Sequence, residues 1–200
     1  KAHAANPDPL WSRGLGDVYK RQVVSCEVRY DGLRVPASRL IGSEGEGFRY
    51  ILDGLNPERI LIAAEALGMG KAAVDRAVEY ANTRVVFDRP IGQNQGISFP
   101  LAQADMKLHA AELMIRKASW QYDQGIGCAE AANTAKYLAS EAGFFAADRA
   151  MQTLGGFGYA SEYHVERYWR EARLMKIAPV SQEMVLNFIS SKTLGLPKSY

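Results

Sequence analysis

The sequence predicts an all-α fold: an antiparallel up-down four-helix bundle, preceded by a short β remnant of a larger β domain that the chain lacks. Three observations carry this expectation. After residue 44, apolar residues recur at spacings of three and four over long stretches. The breaks between those stretches are short and rich in Gly, Asn and Pro, so successive helices must fold back on one another. Before residue 44, the apolar residues come instead as short β-branched runs separated by turn residues.

Residues 1 to 22, KAHAANPDPLWSRGLGDVYKRQ, mix Pro, Gly and charge without an apolar period. They are expected to be a junction, a tag or a disordered segment rather than domain sequence. Residues 23 to 43 read as one or two strands, with a turn at Asp31-Gly32 and a break at Pro36. Two strands cannot close a sheet alone, hence the remnant. Residues 44 to 200 form the helical-bundle domain. Its first helix is expected from residue 45 to about residue 84, with a kink or restart at Asn56-Pro57, since Pro suits the first helical position after an Asn cap. The stretch VVFDRPIGQNQGIS then reads as a loop. Ser98 or Pro100 opens the second helix, whose stripe is Leu101, Ala104, Leu108, Ala111, Ile115, Ala118 and Tyr122, and DQGIG ends it. The third helix covers about residues 129 to 154, with Ala131, Ala135, Leu138, Ala142 and Phe145 inward and Gly155-Gly156 closing it. A short helix follows over residues 163 to 173. The last, about residues 181 to 194, turns Met184, Val185, Phe188 and Ile189 inward and ends at Gly195 and Pro197.

Composition removes several function classes. The 24 basic and 22 acidic side chains leave a net charge of only +2, with no long like-charge run, so nucleic-acid binding has no electrostatic support. No apolar run is long enough to span a membrane, and no secretory signal pattern is visible. Cys26 and Cys128 stand apart, without metal spacing, and read as free thiols in a reducing compartment. His3, His109 and His164 lie in unrelated settings, which argues against zinc.

Three segments could carry chemistry. In LNPERILIAAEALGMG, residues 60 to 67 are apolar almost all round and are expected to be buried, yet the segment carries Glu58, Arg59 and Glu65. Glu58 reads two ways. It is either an acid favoured in a first helical turn, or a general base whose apolar pocket makes it basic. Glu65 is a partner to it or a polar edge. In NTRVVFDRPIGQNQGISF, Arg84 is either a cation at a helix C-terminus or, with Asn94 and Gln95, a clamp for a phosphorylated cofactor. In MQTLGGFGYASEY, Gly155, Gly156 and Gly158 either terminate a helix or let backbone approach a ligand closely.

Taken in order, RVPASRLIGSEGEGF, ERILIAAEALGMG, YANTRVVFDRPIGQNQGISFPLA and QTLGGFGYASEYHVERYWREARLMKIAP resemble the C-terminal half of the acyl-CoA dehydrogenase family, over about residues 27 to 190. The resemblance implies a four-helix bundle after a β-barrel domain, FAD as cofactor, and a homodimer or homotetramer. It implies α,β-dehydrogenation of an acyl-CoA thioester in fatty acid β-oxidation: a carboxylate takes the α proton while the β hydrogen leaves as hydride to the flavin. Electron-transfer flavoprotein is the implied acceptor. The implied location is cytoplasmic in a bacterium and the mitochondrial matrix in a eukaryote. An acyl-CoA oxidase, or a non-catalytic assembly protein of the same fold, is the alternative.

The resemblance also implies roles for single residues. Arg84 matches the arginine that contacts the FAD diphosphate, on a flavin held mainly by the neighbouring subunit. Phe87, Asn94, Gln95, Gln152, Gly155, Gly156 and Ser181 fall with the cofactor-binding positions. Asp88 replaces the usual Gly. Asn56 and Arg59 match positions along the acyl-CoA path. Most relatives carry their catalytic Glu in an EGT triplet before the last helix, where this chain has Pro179-Val180-Ser181. Proline is no base and has no N–H to donate. A minority of the family carries the base on the earlier helix, at the position of Glu58, which becomes the expected catalytic residue, with Glu183 as the alternative.

Overall fold

The computed structural model describes residues 28–198, in two units, Lys1–Gly47 and Phe48–Tyr200. The expectations for residues 1 to 22 and for Cys26 fall outside the described residues.

In the first unit the described residues form no strand. The chain bends at Asp31-Gly32, where the turn is expected and Gly32 has φ +58, but the described residues on either side of it are not paired as strands. Unpaired β-branched runs have no ladder to hold them. A 3₁₀ turn, Ala37–Arg39, follows Pro36.

The second unit is the helical bundle. Helix α1 (Gly47–Thr83) runs unbroken through Pro57. Asn56 is therefore not a cap. A two-stranded hairpin follows, β1 (Val85–Val86) against β2 (Arg89–Pro90). This is where the only strand pairing among the described residues lies, in a stretch that the sequence presents as loop. Helix α2 (Gln95–Asp123) opens before Ser98 and Pro100, because the Asn94 carbonyl already accepts the amides of Ile97 and Ser98. Helix α3 (Ala129–Leu154) has the bounds that the sequence suggests. Helix α4 (Val165–Leu174) follows. Helix α5 (Gln182–Phe188) continues into a π turn, Ile189–Thr193.

The core is built from small residues. Ile60, Ala63, Ala66, Leu67 and Val74 of α1 cluster with Ala104, Leu108, Ala111 and Ile115 of α2 and with the alanines of α3. Fourteen of the 26 residues of α3 are buried, which makes it the central helix. That is why its inward face is broader than a single stripe: Leu138, expected inside, is exposed, while Ala139 and Ala146 are buried. The stripe of α2 is buried as expected from Leu101 to Ala118, but Tyr122 in its last turn is exposed. On α5 only Gln182 and Val185 are buried, and Met184 lies outward.

Small residues let backbones approach. A Cβ on Gly143 of α3 would stand 2.5 Å from the Ala66 carbonyl oxygen of α1, and one on Gly70 would meet Leu108 at 2.6 Å and the Gly143 Cα at 3.0 Å. Helices α1 and α2 are joined further by Lys71, whose ammonium donates to Glu112 at 2.6 Å. Lys71 and Arg116 hold that carboxyl down to about 2.

These contacts separate two glycines on one bundle. Gly143→Ala gains helix propensity but forces α1 and α3 apart, so it is expected to destabilise the chain by about 1–3 kcal/mol. Gly68→Ala meets open space and is expected to stabilise by about 0.5–1 kcal/mol. Denaturant unfolding of the two variants checks both signs.

Candidate functional site

The candidate residues occupy the two ends of α1. Asn56, Glu58 and Arg59 lie in its N-terminal half, and Arg84 follows its last residue. At 1.5 Å of rise per residue, about 36 Å separates Arg59 from the Arg84 end.

At the first end, Asn56 and Arg59 are one turn apart and Arg59 Nη1 donates to Asn56 Oδ1 at 3.0 Å. Arg59 is half-buried, and its Nε is buried without a hydrogen-bond partner. Burial lowers its pKa, and nearby Glu58 acts the other way. Close to Arg59 lies Lys136 of α3, whose side chain is fully buried. Its Nζ donates to the Val180 carbonyl at 2.6 Å. Burial pushes this ammonium down from 10.5 to about 8; Glu183 opposes the shift, Arg59 adds to it and Glu141 opposes it. The folded chain thus releases this proton before the unfolded chain does. Lys136 costs stability below about pH 8, and that cost is relieved as pH rises towards 10.5. One turn on, Ser140 Oγ accepts from Gln182 Nε2 at 3.0 Å.

Glu58 is exposed. With Leu61, Glu65 and Gly68, all exposed, it forms an outward stripe of α1 at helical spacing. Residues 60 to 67 are accordingly buried on one side only, contrary to the expectation of all-round burial, because α2 and α3 both pack against the Ile60–Ala63–Leu67–Gly70 side. Glu183 is also exposed. Its own backbone N–H and the Ser181 hydroxyl hold its carboxyl below the usual range. Ser181 caps α5, its Oγ accepting from the Met184 amide at 3.4 Å. Glu183 is thus engaged as a helix-start acid.

At the second end, the hairpin turns on Phe87 (φ +52) and Asp88 (φ +62), a two-residue loop with both central residues left-handed. Asp tolerates that conformation better than most side chains, so Asp88 fits where a Gly is usual. Phe87 projects into solvent. Arg84 is exposed and has no carboxylate partner among the described residues. Asn94 does not join it: its Oδ1 accepts from Arg89 at 2.7 Å and its Nδ2 donates to the Ile91 carbonyl. Gln95 opens α2 and Gln152 lies in the last turn of α3, both exposed. Gly155 ends α3 with φ +60 and ψ −133. A Cβ on Gly155 or Gly156 would meet nothing within 4 Å, whereas one on Gly158 would strike the Met151 carbonyl at 2.6 Å. Phe157 and Tyr163 lie 6.2 and 6.4 Å from the ring of Tyr80, which brings the glycine segment beside α1 one turn before Arg84.

Sequence reasoning missed Lys136, Ser140 and Gln182 at the first end and Tyr80 at the second. A lysine set among alanines on a helix that needs a broad apolar face was the readable signal for Lys136. Among the described residues no cluster of His, Cys, Asp or Glu could hold a metal ion.

The sequence profile of the family described as "Acyl-CoA dehydrogenase, C-terminal domain" matches residues 45–194. The chain is 49% identical over 176 residues to "Acyl-CoA dehydrogenase fadE12" of Mycobacterium bovis, covering 87% of this chain and 45% of that protein. Its fold is similar to that of butyryl-CoA dehydrogenase from Megasphaera elsdenii, with a TM-score of 0.82 and 36% identity over 84% of this chain and 44% of that one. It is also similar to the FAD complex of PigA, with a TM-score of 0.79 and 27% identity over 84% and 43%. The chain therefore spans about half the length of the relatives it matches.

The backbone of Gly155 calls for glycine by conformation alone. Gly155→Ala is expected to destabilise by about 1–3 kcal/mol, the cost of holding a side chain at that φ and ψ. Gly156→Ala, in open space without a positive φ, is expected to change stability by under about 0.5 kcal/mol. Thermal unfolding of both variants is the check.

Proposed function

The chain belongs to the acyl-CoA dehydrogenase family, whose C-terminal helical domain it carries, and on that premise we propose that it serves an FAD-dependent α,β-dehydrogenation of an acyl-CoA thioester. The observation that supports this reading best is Arg59. It is a half-buried guanidinium with a partnerless Nε, held by Asn56 and adjacent to the carboxylate of Glu58. A buried donor without a partner costs stability unless something else satisfies it. The Nε itself is enclosed, so that cost stays with the fold; the exposed part of the half-buried guanidinium is what can donate to an oxygen of the substrate's polar chain, and Asn56 sets its direction.

Glu58 is the proposed base for the α proton. Its stripe also exposes Leu61, so it presents a carboxylate on a partly apolar face. Covering that face excludes water and makes the carboxylate a better base. Glu183 is the weaker candidate, because a carboxyl held ionised by its own helix start gains little by taking a proton.

FAD, when bound, supplies the acceptor for the electrons that leave with the β hydrogen. The hairpin end fits part of that group. Arg84 is free of any carboxylate among the described residues, Tyr80, Phe157 and Tyr163 make an aromatic wall, and the backbone at Gly155 and Gly156 is open. A guanidinium beside open backbone suits a diphosphate. The two ends are too far apart to serve one dinucleotide in one protomer. We infer that the Arg84 end completes the cofactor site of a second copy, in a homodimer or homotetramer, with an electron-transfer flavoprotein as the acceptor.

The experiment is Glu58→Gln in a chain extended to the length of its relatives. Flavin absorbance is expected to stay and α-proton exchange of an acyl-CoA to fall by about 10²–10⁴-fold, while Glu183→Gln keeps most of its activity. Near-normal turnover of Glu58→Gln would sink the assignment.

A further inference from the structure

We infer that Lys136 is a positioning residue: its ammonium, bonded to the Val180 carbonyl, pins segment 178–183 to α3 and so fixes one wall of the Arg59 end of the bundle. The inference rests on the reading above only in calling that wall functional.

The geometry is a two-point clamp. Lys136 and Ser140 stand one turn apart on α3. Lys136 grips the carbonyl of Val180 at 2.6 Å, and Ser140 Oγ takes the amide of Gln182 at 3.0 Å. The anchored residues are two apart, and between them sits Ser181, the cap of α5. The clamp therefore decides where α5 begins, and with it the place of Glu183, whose carboxylate the Ser181 hydroxyl holds. Met175, just before this segment, is buried in the same cluster as Ile60, the neighbour of Arg59. The clamped segment thus leaves the core at the end of the bundle that carries the candidate site.

A buried lysine is a costly way to fill space, since a methionine of similar size packs without losing hydration. What the amine adds is a charged donor that reaches across to a carbonyl 44 residues away. The charged groups that face it among the described residues are Arg59 from α1, Glu183 from α5 and Glu141 from α3 itself. Arg59 repels the ammonium, and neither acid bonds to its Nζ. The Val180 carbonyl is its one hydrogen-bond partner among the described residues. Loss of the proton leaves an amine that still donates, but through a weaker bond than the ammonium makes.

The test uses the 200-residue chain, labelled for NMR. The Lys136 Cε, the Val180 carbonyl carbon and the Ser181 amide are expected to titrate together, with a midpoint of about 8. Lys136→Met is expected to abolish that titration at Val180 and Ser181. It should also speed amide exchange at Met184 and Val185 by about 10-fold, the effect of losing a charged hydrogen bond, while Leu108 and Ala111 of α2 stay protected. Val180 and Ser181 that ignore the Lys136 titration would overturn the clamp, as would unchanged exchange at 184 and 185. If Lys136→Met does not fold, the co-titration in the unaltered chain decides the matter alone. In the enzyme extended to its relatives' length, Lys136→Met is expected to raise KM for acyl-CoA by about 10-fold at unchanged flavin content. The two proposals fail separately. Normal turnover of Glu58→Gln removes the base and leaves the clamp; absent co-titration removes the clamp and leaves the base.

Discussion

The near-contact of two backbones, Ala66 on α1 and Gly143 on α3, is the constraint from which the rest of the bundle follows. No side chain fits between these helices where they cross, so that point is lined by Ala66, Gly70, Gly143 and Ala146, with Leu108 of α2 against them and larger residues such as Ile60 and Leu67 to either side. Helices this close leave little room for error along their length. Once Ala66 is seated on Gly143, the turn that carries Arg59 is held at a fixed height on α3, near Lys136. The candidate site is thus set by packing two turns away from it. Small residues supply little apolar area each, so the bundle gains its stability from many tight contacts rather than a few large ones.

The sequence made the helices legible where one stripe faces one core. On α2, six of the seven expected positions are buried; Tyr122, in the last turn, is the exception. On α3 the bounds were readable and the face was not. A helix surrounded by others has no single stripe, and a reading that seeks one settles on Leu138 and passes over Lys136. The hairpin at 85–90 was invisible for another reason. Strands of two residues have no period, and Phe87-Asp88 lacks the Asn-Gly signature of its turn type.

Site residues divide in the same way. The Asn56–Arg59 bond lies within one helical turn, and spacing alone suggests it. The Lys136–Val180 and Ser140–Gln182 bonds join residues 44 and 42 positions apart, and no local pattern announces them. Asn94 shows the opposite error. Its closeness in sequence to Arg84 suggested a shared task, but its side chain is spent on Arg89 and on the Ile91 carbonyl, which shape the hairpin instead.

Helix α1, 37 residues long and bearing one set of polar groups near each end, is a spacer as well as a wall. Groups held about 36 Å apart on a single rigid element cannot converge on one ligand by bending. If both sets act, they act on two ligands, or on two halves of a site shared between copies. The second arrangement is consistent with an Arg84 that is exposed and has no carboxylate beside it among the described residues. A cation meant for another copy's phosphate is best left unpaired in its own chain, because an internal ion pair would first have to be broken. Arg59 is the reverse case: it is half-buried, held by Asn56, and left with one donor unmet.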